Sequence, residues 1–302
     1  MNALAEHLQT LRSDADNVIC LDAFETRYQA LMTSAGSRDA VSLALRNTVL
    51  ARGKRIRPML MMHAAFDLGI AQSEVIDLAV AIEMVHTASL ILDDLPCMDD
   101  SALRRGRPTM HREFGEHVAI LAAVGLLMKA FEIVSNHPTM TAAQRIKVVD
   151  RLSRASGMDG LVQGQLRDLQ EGFSTQTSAD AQMTNLLKTG VLFDAALQAV
   201  AVLANAHPSD VDALSCCARE IGHAFQLADD LKDDPARSGA ATGKDVGKDV
   251  GRPTLLALLG QRAARDRIAS CLVAADASLA AAPAGFGSTR RYMRDMAQCF
   301  SV

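Results

Sequence analysis

The chain has 302 residues and a formal net charge of −4; 49% of its residues are hydrophobic, yet only 4% are aromatic and tryptophan is absent. The length fits one large domain, and a core built mainly from Ala, Leu, Val, Ile and Met favours helices. The negative charge argues against nucleic acid as a partner.

Nothing in the sequence indicates export or insertion into a membrane. No stretch reaches about 18 uninterrupted apolar residues, so we expect no membrane span. Residues 1–7 lack the basic and apolar regions of a secretory signal. The six cysteines include no CxxC pair for zinc and are typical of reduced thiols. We therefore expect a cytoplasmic protein.

Apolar residues recur at helical spacing along the chain, whereas strand-like alternation persists nowhere. We expect an all-α fold, a single large helical bundle around a central active-site cavity, with one domain over residues 1–302. The nearly uncharged helix 118–134 should be wholly buried or lie at an interface. The predicted helices cover residues 1–35, 39–50, 59–68, 73–92, 118–134, 145–170, 183–204, 211–231, 254–282 and 288–300.

A basic segment over residues 52–58 precedes the third predicted helix. It carries four cations, among them Lys54 and Arg57, and Pro58 suits the first turn of a helix. The N-terminus of a helix favours a bound anion. The alternative is a solvated turn with snorkelling cations, which is common for short basic runs. His86, on the next apolar helix, is by itself more typical of a satisfied core residue than of a ligand-binding one.

Residues 93–100 place four carboxylates at the end of the fourth predicted helix. Carboxylates there face the negative end of the helix dipole, which disfavours each by up to about 1 kcal/mol. A bound cation would offset this cost, and Mg²⁺ takes one or two carboxylates while leaving room for phosphate oxygens. Because Pro96 should break the helix, Asp93, Asp94 and Asp99 can converge.

Further cations lie downstream of this acidic run. Arg104 and Arg105 follow it closely, and guanidiniums bind the phosphate oxygens that a metal leaves uncovered. A surface salt-bridge network is the alternative for this pair. Lys188, beside Thr189, lies in an apolar run, where an ammonium group needs an anion or a route to water.

A second acidic cluster ends the predicted helix over residues 211–231. Gln226, Asp229, Asp230 and Asp233 fall at i, i+3, i+4 and i+7, so they share one stripe of that helix. Like charges on one stripe repel each other, which indicates a bound cation. The two acidic clusters together suggest one cavity that holds divalent metal.

The Gly-rich residues 235–253 follow the second cluster. Lys244, Lys248 and Arg252 give this segment positive charge, so we expect a mobile lid that carries cations. The chain contains no P-loop, no GxGxxG and no GxSxG motif.

Three motifs, taken in order, resemble those of the trans-isoprenyl diphosphate synthases, most strongly the bacterial geranylgeranyl diphosphate synthases of carotenoid pathways. The resemblance covers nearly the whole chain, and the ordered set is far more specific than any single motif. The motifs are Gly-Lys-Arg-Ile-Arg-Pro at residues 53–58, the Asp-rich residues 93–99 with a two-residue insertion followed by Arg104-Arg105-Gly106, and Phe225-Gln226-x-x-Asp229-Asp230-x-x-Asp233.

This resemblance implies an ionisation–condensation–elimination reaction between an allylic diphosphate and isopentenyl diphosphate. It implies Mg²⁺ on the allylic diphosphate, about three ions per active site, with Mn²⁺ as a substitute. It also implies that Thr189 and Gln226 face the allylic cation. The leaving diphosphate would be stabilised by Arg104, Lys188 and Lys244. The implied metal ligands are Asp93, Asp94, Asp99, Asp229 and Asp233.

The same resemblance assigns a second diphosphate site and a partner. The departing diphosphate would accept the proton, so no side-chain base is expected, and the protein would be a homodimer. Relatives commonly have Lys-Ser-Thr after the lid, whereas this chain has Arg252-Pro253-Thr254, and Arg does not reproduce the reach or shape of Lys. The residues that would bind isopentenyl diphosphate are Lys54, Arg57, His86 and Arg105, which gives the basic segment and His86 a functional role.

The helix before Asp93 bears on product length. A residue five positions back lies about 7.5 Å along that helix, beside the growing chain. By resemblance, bacterial farnesyl diphosphate synthases have an aromatic residue there, whereas this chain has Ala88 followed by Ser89. Two small residues leave room for a longer chain, so the expected product is the twenty-carbon geranylgeranyl diphosphate, made from farnesyl diphosphate and shorter starters. The alternative is a farnesyl diphosphate synthase.

Three other classes compete with this interpretation. A terpene cyclase would not need the basic motif at residues 53–58 and would carry a different second acidic motif. A non-catalytic subunit of a heteromeric synthase should have lost one acidic cluster, and both are intact here. A cation-binding helical scaffold leaves the basic motifs without a role.

Overall fold

A computed structural model describes residues 20–32, 39–50, 53–171, 177–232 and 255–298. Across these residues the chain is almost entirely helical, which confirms the predicted all-α class. The single domain predicted over the whole chain extends beyond the described residues and stays a prediction.

Fourteen α-helices are described in these ranges, together with one π-helical turn and one hairpin. In chain order they are residues 20–32 (α1), Ala40–Leu50 (α2), Ile56–Asp67 (α3), Gln72–Asp93 (α4), strands Leu103–Arg104 (β1) and Arg107–Pro108 (β2), Met110–Phe114 (α5), Glu116–Ser135 (α6), Ala142–Ser156 (α7), Leu161–Glu171 (α8), Ser178–Asn185 (α9), the π-helix Leu186–Gly190, Val191–Leu203 (α10), Pro208–Lys232 (α11), Leu255–Leu259 (α12), Gln261–Ala281 (α13) and Gly287–Gln298 (α14).

The middle of the bundle is formed by α4, α10 and α11. Helix α10 packs against α3, α4, α7 and α11, and α4 packs against α3 and α6. Leu78 on α4 and Leu197 on α10 are 1% and 0% exposed. Burying each such side chain contributes about 1.5–3 kcal/mol, so packing between these helices stabilises the bundle.

A short hairpin contains the only strands in the described ranges, and the sequence did not predict it. Strands β1 and β2 pair antiparallel, with Arg104 opposite Arg107. Arg105 and Gly106 between them have φ of 55° and 75°, the combination of a type I′ turn. Two-residue strands are too short to show alternation, which is why the pattern gave no sign of them.

Three predicted helices are interrupted in the structure. The helix predicted over 145–170 is broken between α7 and α8, where a Cβ on Gly160 would lie 2.1 Å from the carbonyl oxygen of Ala155. The helix predicted over 183–204 contains the π-helical turn, and the one over 254–282 is divided at a glycine between α12 and α13. The spacing of hydrophobic residues does not predict such breaks, because they depend on close backbone contacts, on a glycine or on a rare type of helix.

Helix α6 is only half buried. Its exposed face carries large apolar side chains between 43% and 58% exposed: Ile120, Leu121, Val124 and Met128. The sequence predicts that this helix is either wholly buried or part of an interface, and its exposed face excludes complete burial.

Three helical stretches are long and apolar enough to cross a membrane by length and composition: Gln72–Asp93, Glu116–Ser135 and Ala179–Leu203. In the first and third, 67% of the apolar window is buried inside the bundle, so packing in the core accounts for their hydropathy. The expected absence of a membrane span stays a prediction.

Candidate active site

The first acidic cluster lies where α4 ends. Asp93 is the last residue of the helix, and the chain then turns through Pro96. The turn folds back, because the Asp99 N–H donates to the Asp93 carbonyl at 2.9 Å and the Ser101 N–H donates to the Asp94 carbonyl at 3.2 Å. The backbone thus returns Asp99 to Asp93, in the way that a break at Pro96 predicts.

Asp94 is engaged in an ion pair. Its buried carboxylate accepts hydrogen bonds from Arg104 Nε at 3.0 Å and Arg104 Nη2 at 2.5 Å. Burial raises the pKa of Asp94, and Arg104 opposes that rise. The sequence predicts Asp94 on metal and Arg104 on diphosphate, whereas the structure pairs the two with each other.

Arg104 also links the two acidic clusters. Burial lowers the pKa of Arg104, but the carboxylates of Asp94, Asp93 and Asp229 more than offset this and raise it. Asp229 lies on α11, far from Asp93 in sequence. The two clusters predicted to share a cavity are therefore joined electrostatically through one guanidinium.

Lys188 lies in the π-helical turn Leu186–Gly190, which neighbouring helices approach closely. A Cβ on Gly164 of α8 would lie 2.6 Å from the Lys188 backbone nitrogen, and one on Gly222 of α11 would lie 2.7 Å from Gly190 Cα. Glycine at these positions lets α8 and α11 contact the turn directly. π-Helical turns are rare, and those that occur are often found at functional sites.

Carboxylates surround the Lys188 ammonium group. Its Nζ donates to Asp168 Oδ2 at 2.7 Å and lies 3.8 Å from Asp93 Oδ1. Burial lowers the pKa of Lys188, but Asp93, Asp168 and Asp99 more than offset this and raise it, so Lys188 is charged. Burial raises the pKa of Asp93, which Lys188 opposes and Asp99 reinforces. The anion that a buried Lys requires is present.

Two residues of α8 belong to this group, although the sequence analysis assigned them no role. Gln165 Nε2 donates to Asp93 Oδ1, and Asp168 accepts from Lys188. They lie three residues apart on the face of α8 that meets the π-helical turn. The available signal was a polar pair at i and i+3 near the end of an amphipathic helix.

The stripe on α11 is organised by Gln226. Its Oε1 accepts a hydrogen bond from Thr189 Oγ1 at 2.8 Å, and its Nε2 donates to Asp230 Oδ1 at 2.9 Å. The amide is therefore held at both ends, and Thr189 is held with it. The other predicted residues of this region, Asp233, Lys244 and Arg252, lie outside the described residues.

Within the described residues, no three carboxylate, His or Cys side chains lie close enough together to hold one metal ion. Mg²⁺ needs only one or two protein carboxylates, because it completes its shell with water and phosphate oxygens. The metal ligands expected from the sequence stay a prediction.

A group of positive charges lies around the N-terminus of α3. Arg57, in the first turn of α3, is 6% exposed, and its guanidinium carbon lies 4.2 Å from the ring centre of Phe193. Its Nε has no hydrogen-bond partner among the described residues. Burial lowers the pKa of Arg57 to about 10, so the group is still charged at neutral pH. A buried cation on an aromatic face is ready to receive an anion.

The hairpin turn delivers Arg105 to the same place. A Cβ on Gly53 would lie 2.4 Å from Arg105 Nη2, so the guanidinium rests against the backbone of the basic segment. Lys54 is the next residue along and is exposed. Arg105 itself has a left-handed backbone conformation at the turn of the hairpin.

His86 on α4 faces these cations. Burial lowers its pKa well below 6.5, and the surrounding guanidiniums lower it further, so the imidazole is neutral. The structure thus brings together Arg57, Arg105 and His86, with Lys54 beside them; their role in binding isopentenyl diphosphate, implied by the resemblance, stays a prediction. The guanidiniums that act on His86 are those of Arg57, Arg105, Arg55 and Arg104.

Two small side chains lie between His86 and Asp93 on α4. Ala88 is 0% exposed, and Ser89 is partly buried with its Oγ donating to the His86 carbonyl at 2.8 Å. The positions expected to bear on product length therefore lie between the two charged groups.

Comparison with known proteins extends this picture. A family model described as polyprenyl synthetase matches residues 38–280. A geranylgeranyl diphosphate synthase of Pantoea ananas is 45% identical over 279 residues, which covers 92% of this chain and 90% of that protein. A geranylgeranyl diphosphate synthase of Pseudescherichia vulneris is 47% identical over 273 residues, which covers 90% of this chain and 88% of that protein. A solved geranyltransferase from Helicobacter pylori, complexed with magnesium and isoprenyl diphosphate, aligns with a TM-score of 0.84 at 25% identity over 94% of this chain and 97% of that one.

Proposed function

The chain belongs to the polyprenyl synthetase family, and on that premise we propose that it condenses isopentenyl diphosphate with farnesyl diphosphate, and with shorter allylic starters, to give geranylgeranyl diphosphate. The supporting relatives are geranylgeranyl diphosphate synthases at 45% and 47% identity. The observation that carries the proposal is the build of α4, which has Asp93 among carboxylates at its end and His86 among guanidiniums two turns earlier.

The carboxylate region, the cluster of acidic side chains around Lys188, is the site for the allylic diphosphate. Mg²⁺, when bound, supplies positive charge beside the leaving diphosphate, with about three ions per site and Mn²⁺ as a substitute. Asp93, Asp94, Asp99 and Asp229 are the described residues that would hold it, and Asp94 would then share its carboxylate between the metal and Arg104. Lys188 adds a fixed positive charge, because Asp168 holds its ammonium group at 2.7 Å. A charge held in place before the reaction stabilises the developing negative charge with little reorganisation.

The guanidinium region, the cluster of cations around His86, is the site for isopentenyl diphosphate. Arg57 and Arg105 fork onto phosphate oxygens, and Lys54 adds a point charge at the exposed edge. Neutral His86 offers a hydrogen bond without adding to the repulsion among the cations. Between the two sites, the dipoles of Thr189 and Gln226 are held by their mutual hydrogen bond and suit an allylic cation.

Incubation of the purified chain with isopentenyl diphosphate and Mg²⁺, and with either farnesyl diphosphate or a shorter allylic diphosphate, tests the proposal. After removal of phosphate, we expect the twenty-carbon prenyl alcohol. A fifteen-carbon product made from shorter starters alone would favour the farnesyl synthase alternative. Absence of any condensation would leave the non-catalytic subunit.

Product length depends, in this proposal, on Ala88 and Ser89. A large side chain there would close the space beside α4 and stop growth at fifteen carbons. We expect Ala88→Tyr and Ser89→Phe each to shorten the product, with gas chromatography of the alcohols as the readout. Because Ala88 is 0% exposed, the melting temperature of each variant is measured in parallel. Folded variants that still make the twenty-carbon product would contradict this role.

We also propose that two copies of the chain associate through the exposed apolar face of α6. A contiguous apolar face of this kind is typical of an interface. Light scattering after gel filtration should give a dimer for the native chain and a monomer for Val124→Glu. A monomeric native chain would rule this out. A cytoplasmic location is part of the same proposal, and cell fractionation tests it.

A further inference from the structure

Arg55 lies in the middle of the basic segment, yet it takes no part in the diphosphate site described above. Lys54 beside it is exposed, whereas the Arg55 side chain is 1% exposed. Arg55 precedes α3 with φ 49° and ψ 32°, in the left-handed region. That conformation costs roughly 1 kcal/mol for a residue with a Cβ, so the surrounding contacts must hold it.

Two buried carboxylates hold Arg55. Its Nε donates to Glu25 Oε1 on α1 at 2.8 Å, and its Nη1 donates to Glu83 Oε1 on α4 at 2.7 Å. Its guanidinium carbon also lies 4.9 Å from the ring centre of Tyr28, whose hydroxyl is 3.0 Å from Thr87 Oγ1. One side chain therefore ties the loop before α3 to both α1 and α4.

Glu83 acts on more than Arg55. It is 2% exposed and lies one turn before His86 on α4. Its charge supports the protonated forms of Arg57 and Arg105, against the burial that lowers the pKa of each. Without this carboxylate, the guanidiniums around His86 would repel each other with less to hold them together.

Fold stability does not require such a pair. Replacing a buried ion pair by apolar residues of similar volume is often neutral or stabilising, whereas removing one partner costs roughly 3–5 kcal/mol. The better-founded use of a buried pair is to select one arrangement among several. Here the arrangement selected is that of the loop carrying Lys54 and the first turn carrying Arg57.

We propose that the ion pair of Arg55 with Glu83 positions the cations that bind isopentenyl diphosphate, without contacting that substrate. The inference rests on the proposed function, since it concerns the second diphosphate site. Glu83 and Arg55 are positioning residues in this view, because the carboxylates of Glu25 and Glu83 already offset the charge of Arg55. The net positive charge that meets the diphosphate is then left to Lys54, Arg57 and Arg105.

Glu83→Gln tests the proposal, with calorimetric binding of isopentenyl diphosphate as the primary readout. We expect the Kd to rise about ten-fold, which corresponds to about 1.4 kcal/mol, while the KM for farnesyl diphosphate changes less than about two-fold. Charge alone predicts the opposite, because removing a carboxylate from a cation cluster should tighten binding of an anion. Tighter or unchanged binding would therefore overturn the proposal, as would an equal loss for both substrates.

The chain offers a matched control. Asp77 on α4 binds Arg27 on α1 at 2.6 Å, so it joins the same two helices outside the site. Asp77→Asn should leave the Kd of isopentenyl diphosphate within about two-fold. A rise like that of Glu83→Gln would mean that any bond between α1 and α4 serves equally, and the positioning role would be lost.

A second variant covers the case in which Glu83→Gln does not fold. In Glu25→Gln/Arg55→Met/Glu83→Leu all three charges are replaced by uncharged groups, so no buried charge is left without a partner and the fold should be kept while the weakened binding remains. Wild-type affinity in this folded triple variant would overturn the proposal. If the native chain binds isopentenyl diphosphate but makes no prenyl product, the proposed function fails and the binding series still decides this inference. If the native chain does not bind isopentenyl diphosphate, both fail.

Discussion

The two charged regions along α4 are opposite in sign and alike in construction. At the end of the helix, Asp93, Asp99 and Asp168 surround one ammonium group, that of Lys188. Earlier on the helix, several guanidiniums surround His86 and are balanced by the buried carboxylate of Glu83. Each region therefore contains a partly buried excess of one charge, negative around Lys188 and positive around His86.

The difference lies in what relieves the excess. In the proposed function, the carboxylate region would hold metal, and the metal would supply the positive charge that a diphosphate needs. The guanidinium region would bind a diphosphate directly. Two substrates with the same diphosphate group would then be distinguished by whether their binding needs metal. Changes confined to one region should affect one substrate.

The largest effect is expected in the carboxylate region. Asp93→Asn removes the charge that faces Lys188 and that would hold Mg²⁺, and we expect kcat to fall about a thousand-fold. Steady-state kinetics with Mg²⁺ varied is the measurement, and more Mg²⁺ should recover part of the loss. Asp150→Asn, at an exposed ion pair on α7, is the control and should stay within about two-fold. Full activity of Asp93→Asn at ordinary Mg²⁺ would exclude this carboxylate from the site.

A loss of about a hundred-fold in kcat is expected for Lys188→Met, because the positive charge held by Asp168 is gone. The KM for isopentenyl diphosphate should be little changed, since Lys188 belongs to the other region. Lys147→Met, at an exposed position of α7, is the matched control. A larger effect on isopentenyl diphosphate than on the allylic substrate would show that the two regions are not separate.

The most specific way to disturb the guanidinium region is a substitution at Gly53, whose backbone Arg105 contacts. In Gly53→Ala the new methyl group would lie 2.4 Å from Arg105 Nη2, so Arg105 must move. We expect the KM for isopentenyl diphosphate to rise about ten-fold and that for farnesyl diphosphate to stay the same. Gly287→Ala is the control, because a Cβ there meets nothing within 4 Å. Equal changes in both KM values would indicate a general loss of structure instead.

The sequence predicted the parts of this comparison that depend on local spacing. The stripe from Gln226 to Asp230 and the turn that returns Asp99 to Asp93 follow from helix period and from Pro96. The side of α8 that carries Gln165 and Asp168 was visible only as a polar pair. Its role needed the tertiary contact with Lys188.

Long-range contacts decided the rest. Nothing in a basic segment distinguishes Arg55 from its neighbours, yet Lys54 is exposed and Arg55 is buried between two helices. The close approach of Gly164 and Gly222 to the π-helical turn is likewise a property of packing. Spacing reports which residues share a face, and it does not report what that face meets.

The smallest expected effect concerns pH and again separates the two regions. The pKa of His86 lies below 6.5 in the folded chain, so the unfolded chain binds more protons as the pH falls through 6.5. Stability should therefore be constant above that pH and decline below it, by at most about 1.4 kcal/mol per pH unit from this residue. Chemical denaturation of the native chain and of His86→Asn measures it, and the difference between them should shrink as the pH falls. Diphosphate in the guanidinium region should weaken this dependence, because a nearby anion favours the protonated imidazole. A difference that does not vary with pH would mean that burial and the surrounding guanidiniums do not lower the pKa of His86 in the folded chain.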